Sequence, residues 1–268
     1  MKTTSLLISF FLCASLGFSQ SGTMQFNGGA TTGRASVLLI PFEPFMYLSE
    51  IDKQLEKESK LSGQEMKDEF VKALDFHLYQ AFSENYTVIS FYFMEDDIEQ
   101  DLTHIYRSRK LNFEALPTNN QTALEEKTSA LKGKLKRSFK KEDDTDFGGQ
   151  VVTKKIQEER FMNAEITNPN LLDSLYTKHV AKLYLFINQL EFRNLYGDYT
   201  TMQTGEYKRE AKVHYTLFTK EGVVIAKGIS SIEFPSQENK IDEITNRYFP
   251  ILAAGIYDQI NTLTTPNN

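Results

Sequence analysis

The sequence predicts an α+β fold: helices packed on one face of a mixed, mostly antiparallel sheet, with a long helical charged insertion. Three observations carry that prediction. Residues 207–219 put Tyr207, Ala211, Val213, Tyr215 and Leu217 on one side and Lys208, Glu210, Lys212, His214 and Thr216 on the other. That is the two-residue period of a strand with one buried and one wet face. Two stretches, 62–85 and 240–263, repeat apolar residues at helical spacing. Finally, a strand–helix–strand order near the N-terminus implies one pair of crossover type inside an otherwise antiparallel sheet.

The first residues read as a processing signal. Lys2 precedes an apolar run from Leu6 to Phe18, and Gly17 and Ser19 are small residues before a cut at Gln20. Residues 1–19 are therefore expected to leave as a signal peptide. The sole cysteine, Cys13, lies inside that run and leaves with it, so no disulfide or thiol chemistry is expected in the exported chain. Residues 20–35 are polar and glycine-containing, a flexible leader.

Ser36 to Phe42 is a continuous apolar run, the pattern of a central strand covered on both faces. Pro41 and Pro44 end it. Phe45, Met46, Tyr47 and Leu48 follow, either tucked under a helix or exposed as an apolar patch for a partner. Ser62-Gly63-Gln64-Glu65 is a capping box that opens a helix to about Asn85. Its core stripe is Met66, Phe70, Leu74, Leu78 and Phe82. Tyr86 to Met94 is β-rich and completes a domain segment spanning 36–95.

Residues 96–175 differ in character. A basic block (Lys127, Lys132, Lys134, Lys136, Arg137, Lys140, Lys141) is followed by an acidic one (Glu142, Asp143, Asp144, Asp146). With only Leu124, Leu131 and Leu135 as an apolar stripe, the segment reads as a helical, partly mobile insertion. Lys134, Lys136 and Arg137 are candidate contacts to a partner. The domain then resumes over 176–264. Val180 to Phe192 is an interior strand, and a tyrosine-bearing loop from Asn194 to Glu206 places Tyr196 and Tyr199 as further candidate contacts. Thr219-Lys220-Glu221-Gly222 turns the chain, and Val223 to Phe234 returns. In the last helix Pro250 is expected to kink or restart the helix, and Gly255 to let it approach the sheet closely. Residues 265–268 form a loose tail.

Composition excludes some functions. Hydrophobic content of 40% supports a packed core, and the net charge of −6 lacks the basic footprint of nonspecific nucleic-acid binding. No second apolar run approaches membrane-spanning length. The sequence holds no metalloprotease or cysteine–histidine zinc spacing, serine-hydrolase elbow, phosphate loop or dinucleotide fingerprint. No cofactor and no metal are expected. Paired carboxylates stay open, because their spacing is spatial. A secreted carbohydrate-binding module or a hydrolase using loop carboxylates is therefore the alternative to a non-catalytic role.

Three pieces carry a family resemblance: Val37-Leu38-Leu39-Ile40-Pro41-Phe42, the amphipathic helix ending before Tyr86-Thr87-Val88-Ile89, and Leu217-Phe218-Thr219-Lys220-Glu221-Gly222-Val223-Val224. They resemble a periplasmic α/β module. It is shared by the curli-secretion lipoprotein, penicillin-binding-protein activator lipoproteins and the N-terminal domain of the Tol translocation protein. The resemblance implies non-catalytic docking in envelope assembly, with envelope or outer-membrane proteins as partners and oligomerisation left open. Two features depart from that group: no lipobox cysteine is present, and the insertion lacks the alternating apolar residues of pore hairpins. Gln20 after the expected cut, and the triplet Asp173-Ser174-Leu175, resemble features of exported Bacteroidetes proteins.

Overall fold

The computed structural model describes residues 34–94, 98–115, 160–196 and 207–264. The expected signal peptide, most of the leader, the acidic run 95–97, the charge blocks, Tyr199 and the tail lie outside the described residues.

The apolar run near the N-terminus is a strand covered on both sides, β1 (Ser36–Ile40). Val37 and Leu39 enter one core cluster and Leu38 and Ile40 enter the other. A crossover helix, α2 (Gly63–Ser83), leads to β3 (Thr87–Ser90), which pairs in parallel with β1. On its other side β1 is parallel to β6 (Leu183–Leu195). Pro41 ends β1, and β2 (Tyr47–Ser49) takes up pairing with β6 further along, Tyr47 opposite Leu190. A helix of two turns, α1 (Asp52–Ser59), joins β2 to α2. From β6 the sheet continues antiparallel through β7 (Lys208–Thr219) and β8 (Val224–Pro235), giving the order β3-β1-β6-β7-β8. Gly222, at φ 80°, takes the left-handed conformation that the β7–β8 turn requires.

The sheet is mixed, as the sequence predicts, and the class is α+β. Helix α2 begins with the expected capping box: Ser62 covers the Glu65 amide and Glu65 reaches back to the Ser62 amide. It packs beside the C-terminal helix α5 (Ile241–Thr264) on one face of the sheet. Pro250 lies inside α5, which runs on through it as one element. Phe249, Leu252 and Ala253 on either side of the proline are fully buried, and that packing outweighs the lost backbone bond. Gly255 lies so close to β8 that a Cβ there would sit 2.5 Å from Ser230 Oγ.

The opposite face is covered too. Residues expected to form a helical insertion contribute α3 (Glu99–Arg107), β4 (Arg109–Ala115), β5 (Arg160–Ile166) and α4 (Leu171–His179). The domain therefore extends into both ends of the 96–175 segment, and its flanks are strands as well as helices. The antiparallel β4–β5 ladder lies across β6, β7 and β8. It buries the side of β7 that the alternation marks as wet: Lys212 is 9%, His214 2% and Thr216 0% exposed. At His214 and Thr216 the polarity reflects hydrogen bonding to a second layer, while Lys208 at the start of the strand stays exposed.

Candidate functional site

That second layer is fastened by side chains. A bulge in β6 leaves Asn188 without a partner residue on β7, and bulges re-aim side chains. Asn188 Nδ2 donates to the Met162 carbonyl (2.9 Å) and to Thr216 Oγ1 (2.8 Å). Thr216 in turn donates to Asn163 Oδ1 (2.8 Å) and accepts the Ala164 amide (3.2 Å). The Met162 amide donates to His214 Nδ1 (2.9 Å), which leaves Nε2 to carry the ring proton in the neutral form, 3.8 Å from Glu191 Oε2. Burial raises the proton affinity of Glu191, but the nearby His214 ring and the hydrogen bond from Arg193 outweigh it and hold the carboxyl below its ordinary value. At the rim Glu114 joins Asn163 Nδ2 (2.7 Å) to Lys227 Nζ (2.5 Å). This network positions the hairpin; every backbone amide it uses belongs to β5.

The parallel strands create a different kind of place. β1 and β3 are neighbours, yet their connections diverge: the chain after β1 reaches α2 on one face, and the chain after β3 reaches α3 on the other. In open sheets, switch points of this kind are where ligand crevices form, at the carboxyl ends of the strands. Glu43 lies at this point on the β1 side. Tyr92 follows β3 directly, Tyr106 and Arg109 come from α3 and β4, and Asp75 comes from α2. Tyr106 donates to the Pro41 carbonyl (3.1 Å), and the Arg109 guanidinium lies 5.0 Å from its ring centre. Arg109 Nη2 is 3.5 Å from Glu43 Oε2, with the arginine side chain 1% and the glutamate 28% exposed.

Burial shapes the ionisation of all of them. It lowers the proton affinity of Arg109, partly offset by Tyr106 and Glu43, and raises that of Glu43 against the pull of Arg109. Tyr92 is pushed up to about 12 by burial and by Asp75 and Asp68. Asp75, whose carboxylate accepts the Ser90 hydroxyl, is pushed up to about 7 by burial. Asp75 is absent from the expected residues, although a carboxylate between Val71 and Leu78 on the apolar side of α2 is a signal that could have found it. Glu43, Tyr106 and Arg109 carry no such signal, because they meet only in space.

The sequence-predicted contacts separate. Phe45 is exposed (66%), as is Leu48 (45%). Met46 and Tyr47 are buried and correct the expectation: Tyr47 stacks on Phe70 with centroids 5.7 Å apart and donates to Asp52 (2.6 Å). The reason is β2 itself, which turns Tyr47 into the helix-side core and Leu48 away from it. Tyr196 is exposed and its ring lies 4.7 Å from that of Tyr207. Tyr199, Lys134, Lys136 and Arg137 lie outside the described residues. Asp173-Ser174-Leu175 lies in α4, with Ser174 exposed and Leu175 buried. Among the described residues no group of histidine and carboxylate side chains is arranged to hold a metal ion, and no helix is long and apolar enough to cross a membrane.

No protein-family model matches the chain, and no curated protein matches it. Among solved structures, the chain is similar to the hypothetical protein CT253 from Chlamydia trachomatis. The identity is 10%, the match covers 85% of this chain and 99% of that one, and the TM-score is 0.39.

Proposed function

We propose that this chain is a non-catalytic, exported protein that docks onto other proteins of the bacterial envelope through the edge at β2. One observation carries the reading: Phe45 and Leu48 project outward from a short segment whose intervening residues, Met46 and Tyr47, are anchored in the core. Large apolar side chains held rigidly in the open are the anchors that protein interfaces use. Among the described residues β2 pairs only with β6, so its outer side is free to accept an extended segment from a partner. The apolar run Leu6 to Phe18 and the resemblance to periplasmic docking modules support the compartment and the role.

The test is a pull-down from detergent-solubilised envelope with the exported chain and with a Phe45→Glu, Leu48→Glu double variant. A stoichiometric membrane-protein partner, lost in the variant at unchanged melting temperature, is the expected result. Equal recovery by both proteins would remove β2 as the docking edge. A wild-type chain that recovers nothing would remove the docking role.

A further inference from the structure

We propose that Arg109 is the receptor group of a carboxylate-binding site in the crevice at the ends of β1 and β3. A small monocarboxylate would take the place now held by Glu43 and pair bidentately with the guanidinium. The inference does not depend on the docking role.

Four observations carry it. First, Nε, Nη1 and Nη2 of Arg109 are all buried and make no hydrogen bond among the described residues. A buried guanidinium in that condition is strongly unfavourable unless an oxyanion engages its planar fork, which matches two carboxylate oxygens at once. Second, Glu43 approaches only one edge of the fork, at 3.5 Å, beyond good hydrogen-bond length. Third, the exchange needs only a side-chain rotation. The Glu43 backbone is fixed by its carbonyl, which accepts the Met46 amide (2.7 Å), and by Tyr106 on Pro41 two residues before. The Glu43 side chain is 28% exposed, so it borders solvent while the Arg109 side chain behind it is 1% exposed. Fourth, the place is the one where diverging connections leave a crevice in sheets with parallel strands. The Tyr106 ring forms one wall, against the flat side of the guanidinium. The fork already faces the single charge of Glu43, so a singly charged carboxylate suits it better than a doubly charged phosphate.

The experiment titrates the full exported chain with sodium acetate, with sodium chloride at matched ionic strength as the reference and inorganic phosphate as a third arm. The readouts are the melting temperature and the side-chain Nε–H resonance of Arg109. Acetate is expected to raise the melting temperature and shift that resonance where chloride does neither. Glu43→Ala, which removes the competing carboxylate, is expected to bind acetate about tenfold more tightly. Arg109→Gln is expected to lose the response. If that variant does not fold, the comparison of wild type with Glu43→Ala decides alone. The proposal is overturned if acetate acts like chloride on both of those proteins, if Glu43→Ala binds no more tightly, or if a folded Arg109→Gln responds as wild type does. A stronger response to phosphate than to acetate would overturn the assignment to a carboxylate.

Discussion

The hydroxyl of Ser90, the last residue of β3, donates to the carboxylate of Asp75 inside the core, tying the strand to the crossover helix that leads into it. Burial is the larger influence on this carboxyl and pushes it up to about 7, against the lowering effect of the serine. In the unfolded chain an aspartate titrates near 3.9. Between roughly pH 4 and pH 7 the folded protein therefore holds a proton that the unfolded chain has released. Stability is greatest at the acid end of that window and falls as pH rises through it. The loss is complete above the folded value and amounts to at most on the order of 4 kcal/mol. Asp75→Asn keeps the hydrogen bond without the charge. Urea midpoints at pH 5 and pH 8 are expected to fall with pH in the wild type and to change much less in the variant. The same pH dependence in both would show that Asp75 is not the titrating group.

Thr216 is the hub beneath the hairpin. Thr216→Val keeps the shape but leaves the buried Ala164 amide and Asn163 Oδ1 without the partner Thr216 gives them, and takes one of two bonds from Asn188 Nδ2. Leaving buried polar groups unpaired is expected to cost about 2–4 kcal/mol. The damage should be local first. Amide exchange at Ala164 is expected to accelerate more than exchange in β6. Uniform acceleration throughout the sheet would mean that the hairpin and sheet open only together.

Gly255 tests how closely α5 approaches β8. Ser230 Oγ donates to the Leu252 carbonyl (2.9 Å) and occupies the space a Cβ at 255 would need. Gly255→Ala is expected to destabilise by about 1–3 kcal/mol despite the better helix propensity of alanine. Adding Ser230→Ala removes the obstructing oxygen, so the double variant should recover part of the loss. A purely additive cycle, measured by urea unfolding, would place the strain elsewhere.

The sheet was legible because its rules are local. Alternation identified β7, the capping box located α2, and the unbroken apolar run of β1 called for cover on both faces. What covers the second face was hidden for a physical reason. Phe161, Met162, Asn163 and Ala164 of β5 are all buried, so a strand wedged between a sheet and its own hairpin partner shows no two-residue period. Without that strand, His214 and Thr216 read as solvent-facing. The candidate site was hidden more deeply. Arg109 lies at the start of β4 and Glu43 just past β1, and only the divergence of two connections brings them together.

Replacing residues 118–157 by a short Gly-Ser turn is expected to leave the melting temperature nearly unchanged, because loop-closure cost varies only slowly with length. A large fall would show that the removed residues contribute to the core.

The β4–β5 ladder pairs Ala115 with Arg160 at its open end. The chain therefore leaves β4 and enters β5 within one strand spacing of the same point. From there β5 runs to the amides of Met162 and Ala164, which donate to His214 and Thr216 on β7, the neighbour of the central strand β6. Anything that moves Ala115 and Arg160 apart therefore strains a ladder whose other edge is hydrogen-bonded to the main sheet.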